Sequence, residues 1–348
     1  MNPRKTTPLL AGLLASLLSA TAHAGTGLTE LPGQGSDGPV TVYYPTDADD
    51  VPVSRGPFRL RLAPGSVPAR GNGRLVVISH GSGGAPWVHA DLARTLVQAG
   101  FVVAMPEHQG DNYKNTRNPG PDSWKLRPAE VSRAIDTVAR DPRFAPLLAL
   151  DKVGMYGMSA GGHTALSLAG GRWSPARFKA HCEAHIAEDF PACVGLFTRL
   201  TGGVLDGVKK AAAVNVIGQR FDDATWHTHH DPRVAAVVAG VPASADFDPA
   251  SLATPRVPLG LVTVGRDRWL TPRFHSDRIA QACTPCERIA HLPDAGHGAL
   301  LSPPVPPEVM GALEADLLAD PPGFDRAVLP EVDRRIAAFF RTHLSTAP

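Results

Sequence analysis

The feature that most constrains this chain is a short buried run that turns sharply into a helix. Val153–Met158 is largely apolar, Gly157-Met158-Ser159-Ala160-Gly161 closes it with the form G-x-S-x-G, and Ala160–Ala169 continues as a helix. Glycines flanking a serine at a strand-to-helix corner leave room for a tight turn that lifts the hydroxyl off the end of the sheet. The helix that follows opens with unpaired N–H groups and the positive end of its dipole. That strand–turn–helix context is what the motif requires.

The rest of the chain supplies that sheet. Val40–Tyr44, Phe58–Leu62, Leu75–Ser79, Phe101–Met105, Ala235–Val241, Leu259–Val264 and Glu287–Leu292 read as strands. Helices are expected at Trp87–Ala99 (closed by Gly100), at Ala129–Arg140 after Pro128, at Phe274–Ala282 and at Arg334–His343. Near-continuous apolar strands alternating with helices predict an α/β fold, a mostly parallel central sheet flanked by helices on both faces. Two stretches break the rhythm. Residues 108–127 are polar and rich in Gly and Pro, and residues 171–230 carry Trp173, two cysteines and a histidine cluster. The first follows the Phe101–Met105 strand and the second lies between the Ala160 helix and the Ala235 strand. Loops after strand ends form the ligand crevice of such a sheet, so both are candidate substrate walls, the second a cap- or lid-like insertion, with surface decoration the plainer alternative.

Composition narrows the function. Of 348 residues 43% are hydrophobic, and Gly and Pro number 34 each, which favours many short elements joined by turns over a helical bundle. Lys and Arg number 34 and Asp and Glu 33, so there is no basic excess to hold nucleic acid or an anionic membrane surface.

The N-terminus reads as a cleavable export signal. Arg4 and Lys5 precede an apolar run from Leu9 to Leu18, and Ala22-His23-Ala24 has the small-x-small form of a cleavage site. The run is shorter than the roughly 20 apolar residues that span a bilayer. Removing residues 1–24 leaves one domain, residues 25–348, with 32 basic and 33 acidic side chains. A periplasmic or secreted protein without a stable membrane anchor is expected. An oxidising compartment in turn makes Cys182, Cys193, Cys283 and Cys286 candidates for two disulfides. Three pairings are open, of which the local one (Cys182–Cys193 with Cys283–Cys286) is favoured. The weaker alternative makes Cys283-Thr-Pro-Cys286 a redox or zinc pair.

A serine hydroxyl needs a base to take its proton, and the base needs a carboxylate to orient it. His297, in Asp294-Ala-Gly-His297-Gly-Ala, follows the last expected strand in a turn that lets a ring approach Ser159. Asp267 follows Leu259–Val264 at a strand end, and the order Ser159, Asp267, His297 is one of the known triad orders. Asp246 and Asp248, after the preceding strand, are the rivals for the acid. For an oxyanion hole the candidates are the amides of Ala160, just after the nucleophile, and Ser82, in His80-Gly81-Ser82-Gly83-Gly84. His227, His229 and His230 suggest a metal cluster but lack a matching carboxylate spacing, so an exposed polar loop is preferred. Trp124, Trp173, Trp226 and Trp269 are either pocket walls or, more commonly for tryptophan, packing.

With these residues in place the chain resembles the α/β-hydrolase superfamily. More narrowly it is similar to bacterial dienelactone-hydrolase-like proteins, a group akin to platelet-activating-factor acetylhydrolases. The resemblance rests on Ser79-His-Gly-Ser-Gly-Gly84, Pro106-Glu-His-Gln-Gly-Asp-Asn112, Gly157-Met-Ser-Ala-Gly-Gly162, Ala176-Arg-Phe-Lys-Ala-His-Cys182, Val264-Gly-Arg-Asp267 and Ala295-Gly-His297. It implies hydrolysis of small-molecule carboxylic esters through an acyl-enzyme, with no cofactor and no metal. Dienelactone hydrolase proper has a cysteine nucleophile where this chain has Ser159, which favours ordinary esters over lactones. In the acetylhydrolases the acid follows the preceding strand, which keeps Asp246 in contention. An amidase or peptidase on the same scaffold, or a binding protein that no longer catalyses, are the competing functions.

Overall fold

A computed structural model describes residues 25–345. The export signal expected over residues 1–24 lies outside them. The strands are β1 (Gly25–Leu31), β2 (Val40–Thr46), β3 (Val51–Arg55), β4 (Phe58–Pro64), β5 (Leu75–Ser79), β6 (Val102–Pro106), β7 (Val153–Met158), β8 (Val234–Gly240), β9 (Leu259–Val264) and β10 (Glu287–Leu292). The helices are α1 (Ala90–Gln98), α2 (Asp122–Arg140), α3 (Ala160–Leu168), α4 (Pro175–His185), α5 (Phe190–Val194), α6 (Asp206–Arg220), α7 (Ser276–Ala282), α8 (Ala312–Leu318) and α9 (Leu329–Leu344).

All ten strands join one sheet in the order β10-β9-β8-β7-β5-β6-β2-β1-β4-β3. From β10 to β6 every neighbour is parallel. β2 then pairs antiparallel with both β6 and β1, and β3 pairs antiparallel with β4. Strands β5, β7 and β9 are buried along their whole length, which is why they are legible as apolar runs. The sheet divides the core. One face packs on α1 and α9 through Leu92, Leu96, Ile336 and Phe340, the other on α2, α3 and α7 through Val131, Ile135, Leu166 and Ile279.

From β5 the chain first goes to one side, to β6, and then returns to the other, to β7. Crossovers leave opposite faces at such a reversal, so a crevice opens beyond the carboxyl ends of the two strands. Here those ends carry the His80–Gly84 loop and Ser159.

The expected strands are all present, with ends shifted by a residue or two. Three departures have physical reasons. The helix expected to start after Pro128 begins at Asp122, with Pro128 inside it. One missing backbone bond there is offset by the apolar face Val131, Ala134, Ile135 and Val138 and by the packing of Trp124. The helix expected from Trp87 begins as a 3₁₀ turn at Pro86–His89, and α1 proper starts at Ala90. Strands β1 and β3 were not anticipated, since GTGLTEL and VPVSR carry too much Gly, Pro and polar character to read as strands. β3 is the sheet's edge and mostly exposed, where Pro52 is tolerated.

Residues 171–230 contain α4, α5 and α6 around a separate small core of Phe178, Cys182, Cys193, Ile217 and Phe221. The cysteines pair locally, Cys182 with Cys193 and Cys283 with Cys286, and no cysteine is free among the described residues.

Candidate active site

Ser159 sits between β7 and α3 at φ 59° and ψ −117°, a backbone conformation that costs a non-glycine residue about 1–3 kcal/mol. The corner closes because its glycines have no Cβ. A methyl on Gly157 would lie 1.9 Å from the Gly161 carbonyl oxygen, and one on Gly161 would lie 2.0 Å from that of Ser79. The strained residue is pinned on both sides. Its N–H donates to Gly240 O at 3.0 Å, and its carbonyl accepts from Ala243 N and His163 N at 3.1 and 3.0 Å.

His297 opens a 3₁₀ turn after β10. Its Nε2 is 2.9 Å from Ser159 Oγ and its Nδ1 is 2.7 Å from Asp267 Oδ2. Asp267, after β9, is held in turn: Oδ1 accepts from the backbone N–H of Trp269 and of Leu270, both at 2.8 Å. His297 and Asp267 are buried, while Ser159 keeps partial exposure. Serine, histidine and aspartate thus form one unbroken hydrogen-bonded chain.

The rival acids go elsewhere. Asp246 Oδ2 is 2.9 Å from His163 Nε2, inside a cluster where Trp124 stacks on the His163 ring and Trp173 and Phe247 close its sides. Asp248 caps the 3₁₀ turn Pro249–Leu252 and pairs with Arg172.

Both expected oxyanion donors are unengaged. Ala160 is the first residue of α3, and neither its N–H nor that of Ser82 donates to a protein acceptor among the described residues. The next two amides of the glycine loop are spent: Gly83 N donates to Asp111 Oδ1 at 3.0 Å, and Gly84 N to Gly81 O at 3.1 Å. The loop lies against Ser159, for a methyl on Gly81 would be 3.5 Å from Ser159 Cβ.

The other sequence candidates separate. His229 bonds Ser132 Oγ at 3.0 Å, His227 stacks on Trp173 and faces Asp223, and the two do not converge on a common point with His230. Trp124, Trp173 and Trp269 are packing residues, and Trp226 is exposed beneath the guanidinium groups of Arg172 and Arg177.

The histidine–carboxylate group that does converge among the described residues was missed by sequence. His181, Asp189 and His275 meet, with both Nε2 atoms on Asp189 Oδ2 at 2.8 and 2.9 Å. It is a hydrogen-bonded clasp rather than a metal site. Ser244 N donates to His275 Nδ1 at 3.0 Å, so the neutral ring carries its proton on Nε2, the very atom a metal would need bare. Thr271 N donates to Asp189 Oδ1 at 3.1 Å. Burial opposes ionisation of Asp189, but the two histidines and Thr271 prevail and its pKa falls well below the usual carboxylate range. The clasp ties the insertion to the segment just after Asp267.

Also missed is a buried polar layer behind the glycine loop. Ser79 Oγ, His108 and Glu130 form a hydrogen-bonded chain away from solvent, and His108 N donates to His80 Nε2 at 3.3 Å. Burial pushes both His80 and His108 well below the usual histidine pKa, with the His108 ring and Arg127 adding to the effect on His80 and Arg127 to that on His108, so these rings stay neutral.

No protein-family model and no curated protein matches this sequence. Solved structures do match. A ferulic acid esterase from Streptomyces cinnamoneus superposes with a TM-score of 0.57 over 95% of this chain and 93% of its own, at 17% identity. At that identity the likeness is one of architecture: the chain has the α/β-hydrolase fold, with a mostly parallel sheet covered by helices.

Proposed function

We propose that this protein is an exported serine hydrolase that cleaves carboxylic esters through a triad of Ser159, His297 and Asp267. The observation that carries the proposal is the unbroken chain of 2.9 and 2.7 Å contacts ending on a serine held in a strained corner. The fold neighbour described as a ferulic acid esterase supports the ester class, and the two local disulfides support an oxidising compartment. The dienelactone-hydrolase-like and acetylhydrolase-like resemblance points the same way.

In this mechanism the Ser159 oxygen attacks the ester carbonyl carbon while His297 Nε2 takes its proton. The carbonyl π pair moves onto oxygen, and the N–H groups of Ser82 and Ala160 hold that oxyanion. Asp267 stabilises the imidazolium without taking its proton. Collapse of the intermediate expels the alcohol oxygen, which receives the proton from His297. Water then adds to the acyl-enzyme with its proton passing to His297, and the acid leaves as Ser159 regains its hydrogen. A small-molecule ester is the substrate, and neither cofactor nor metal enters any step.

The test is hydrolysis of p-nitrophenyl esters of rising acyl length by wild type and Ser159→Ala. Wild type should turn over short esters, and the variant should lose nearly all of that activity while keeping the same melting temperature. A matching p-nitroanilide should be cleaved far more slowly. A folded Ser159→Ala protein with wild-type turnover would overturn the triad, and a faster anilide would make the protein an amidase. A wild type that neither turns over esters nor reacts with a fluorophosphonate at Ser159 would make it a binding protein.

A further inference from the structure

One open amide in the glycine loop has to face Ser159, and the reason it does so lies behind the loop, in a fully buried ion pair. Asp111 follows β6 and Arg127 lies on α2. Both are 0% exposed, and Arg127 Nη2 donates to Asp111 Oδ2 at 2.8 Å. Arg127 Nη1 also donates to His80 O at 2.6 Å, and Nη2 to Asp111 O and Gly81 O at 3.2 and 3.4 Å. Asp111 Oδ1 accepts from Ser82 Oγ at 2.6 Å and from Gly83 N at 3.0 Å, and its Oδ2 accepts from Ser123 Oγ at 2.8 Å. Four consecutive residues, 80 to 83, are therefore each held by one member of the pair.

The peptide plane converts these bonds into a direction. A trans peptide points its N–H opposite its carbonyl. The Ser82 N–H belongs to the peptide whose carbonyl is Gly81 O. That oxygen accepts from His80 Nδ1 at 2.7 Å, from Gly84 N at 3.1 Å and from Arg127 at 3.4 Å. Fixing Gly81 O on one side aims Ser82 N–H to the other. Glycines at 81, 83 and 84 leave this plane soft unless something outside the loop holds it. Burial works against the charged form of the Asp111 carboxyl. Arg127 and the Ser82, Ser123 and Gly83 donors outweigh it and lower its pKa, so the clamp is ionic at neutral pH.

We propose that Asp111 and Arg127 are positioning residues, which act through the His80–Gly84 loop to hold the Ser82 N–H where the oxyanion forms. The proposal rests on the ester-hydrolase reading above and on Ser82 as a donor. It also accounts for a costly feature, since a buried ion pair is a poor source of net stability and can often be replaced by apolar residues at no loss.

The experiment uses Asp111→Asn in the full protein. With Oδ1 still accepting from Ser82 and Gly83, the new NH₂ faces the Arg127 guanidinium, donor against donor, and Arg127 releases the loop. We expect kcat on p-nitrophenyl butyrate to fall by about 10–10², less than the ~10²–10³ lost when an oxyanion donor is deleted outright. KM should stay within about threefold, because the ground-state carbonyl draws little on the hole. The Ki of a trifluoromethyl ketone, whose adduct with Ser159 carries an oxyanion, should rise by the same factor as kcat/KM falls. Inhibition by the product carboxylate should not change. A purely structural role would instead lower the fraction of titratable sites and leave the ketone affinity per site intact. A folded Asp111→Asn with kcat and ketone Ki within about threefold of wild type overturns the proposal. If that variant fails to fold, Ser82→Ala, on an exposed residue, removes only the hydroxyl bond. It should show the same pattern at about 3–10-fold, and an unchanged Ser82→Ala is equally fatal. If wild type itself turns over no ester and forms no ketone adduct, the hydrolase reading fails and the clamp is judged on hydrogen–deuterium exchange of the 80–84 peptide. Faster exchange in the variant supports it and equal exchange overturns it.

Discussion

Replacing Asp267 by Asn tests the triad at the atom where the structure is most specific. The two oxygens of Asp267 are not equivalent. Oδ1 accepts two backbone N–H groups, from Trp269 and Leu270, and Oδ2 accepts from His297 Nδ1. An asparagine must keep its carbonyl oxygen on the two amides, since an NH₂ there would oppose two donors at once. Its NH₂ then faces Nδ1, which can only accept. The His297 proton moves to Nε2, the atom 2.9 Å from Ser159 Oγ, and the nucleophile meets an N–H where it needs a lone pair. The same change of tautomer in a serine-protease triad lowers kcat about 10⁴-fold, so the expected loss here is about 10³–10⁴. At about 1.36 kcal/mol per factor of ten this is roughly 4–5.5 kcal/mol of barrier. The assay is kcat on a short p-nitrophenyl ester at pH 8, with KM expected within about threefold, since substrate does not touch Asp267. Asp246→Asn is the control. Its carbonyl oxygen can still accept from His163, and kcat should stay within about threefold of wild type. A folded Asp267→Asn within tenfold of wild type, or an Asp246→Asn that loses as much, refutes the reasoning.

Two further outcomes follow from groups outside the site. His89 is 1% exposed, neither ring nitrogen has a protein partner among the described residues, and burial lowers its pKa from 6.5 to about 4. Between those values the unfolded chain binds a proton that the folded chain does not, so stability grows with rising pH through that window and is lost on acidification; at pH 5 the cost is on the order of 2 kcal/mol. His89→Leu should therefore lose less melting temperature than wild type between pH 7 and pH 5, and an identical loss would rule out His89 as a source. Cys182 and Cys193 are 11 residues apart in sequence, and opening a loop of that size removes about 2–3 kcal/mol. In Cys182→Ala/Cys193→Ala, hydrogen exchange should rise in residues 175–221 and not in β5 or β7, and a uniform rise would show that the insertion and the sheet unfold as one unit.

How far the sequence could be read depends on how local each signal is. β5, β7 and β9 were legible because strands buried on both faces must be apolar throughout. Of the proposed site residues, Ser159 and Asp267 each follow such a strand, whereas His297 follows the partly exposed β10 and was singled out by its Gly- and Ala-rich turn. β1 and β3 were not legible, as Gly, Pro and polar residues break the apolar pattern that β4, on the same flank, keeps. Pro128 misled, because a proline that usually marks a first helical turn sits here in a helix anchored upstream by Trp124. Asp111 stood out only as part of the Pro106–Asn112 segment, and its pairing with Arg127 was invisible in a run whose Gly, Pro and polar character reads as loop. They meet across 16 positions, and a buried ion pair leaves no periodic trace. The clasp of His181, Asp189 and His275 is equally non-local.

Under the proposed triad, strand order accounts for Asp267 rather than Asp246 meeting His297. β8 lies directly beside β7, so the chain leaving it passes close under the nucleophile, and Ala243 N is taken by Ser159 O. Ser244 N is then drawn to His275, and Asp246 is turned to the α3 side, where His163 meets it. A carboxylate bound so close to the elbow is on the wrong side of it to meet a ring arriving from β10. β9 is one strand further out and next to β10, so its end faces the His297 turn directly, and two backbone amides there orient the carboxylate toward Nδ1. An acid at the end of β8 would sit on a segment already tied to Ser159 through Ala243 N and to His275 through Ser244 N. An Asp267→Ala protein should therefore not regain activity by a carboxylate placed at residue 243 or 244 alone, and kcat restored toward wild type by such a double variant would show that strand order does not fix the position of the acid.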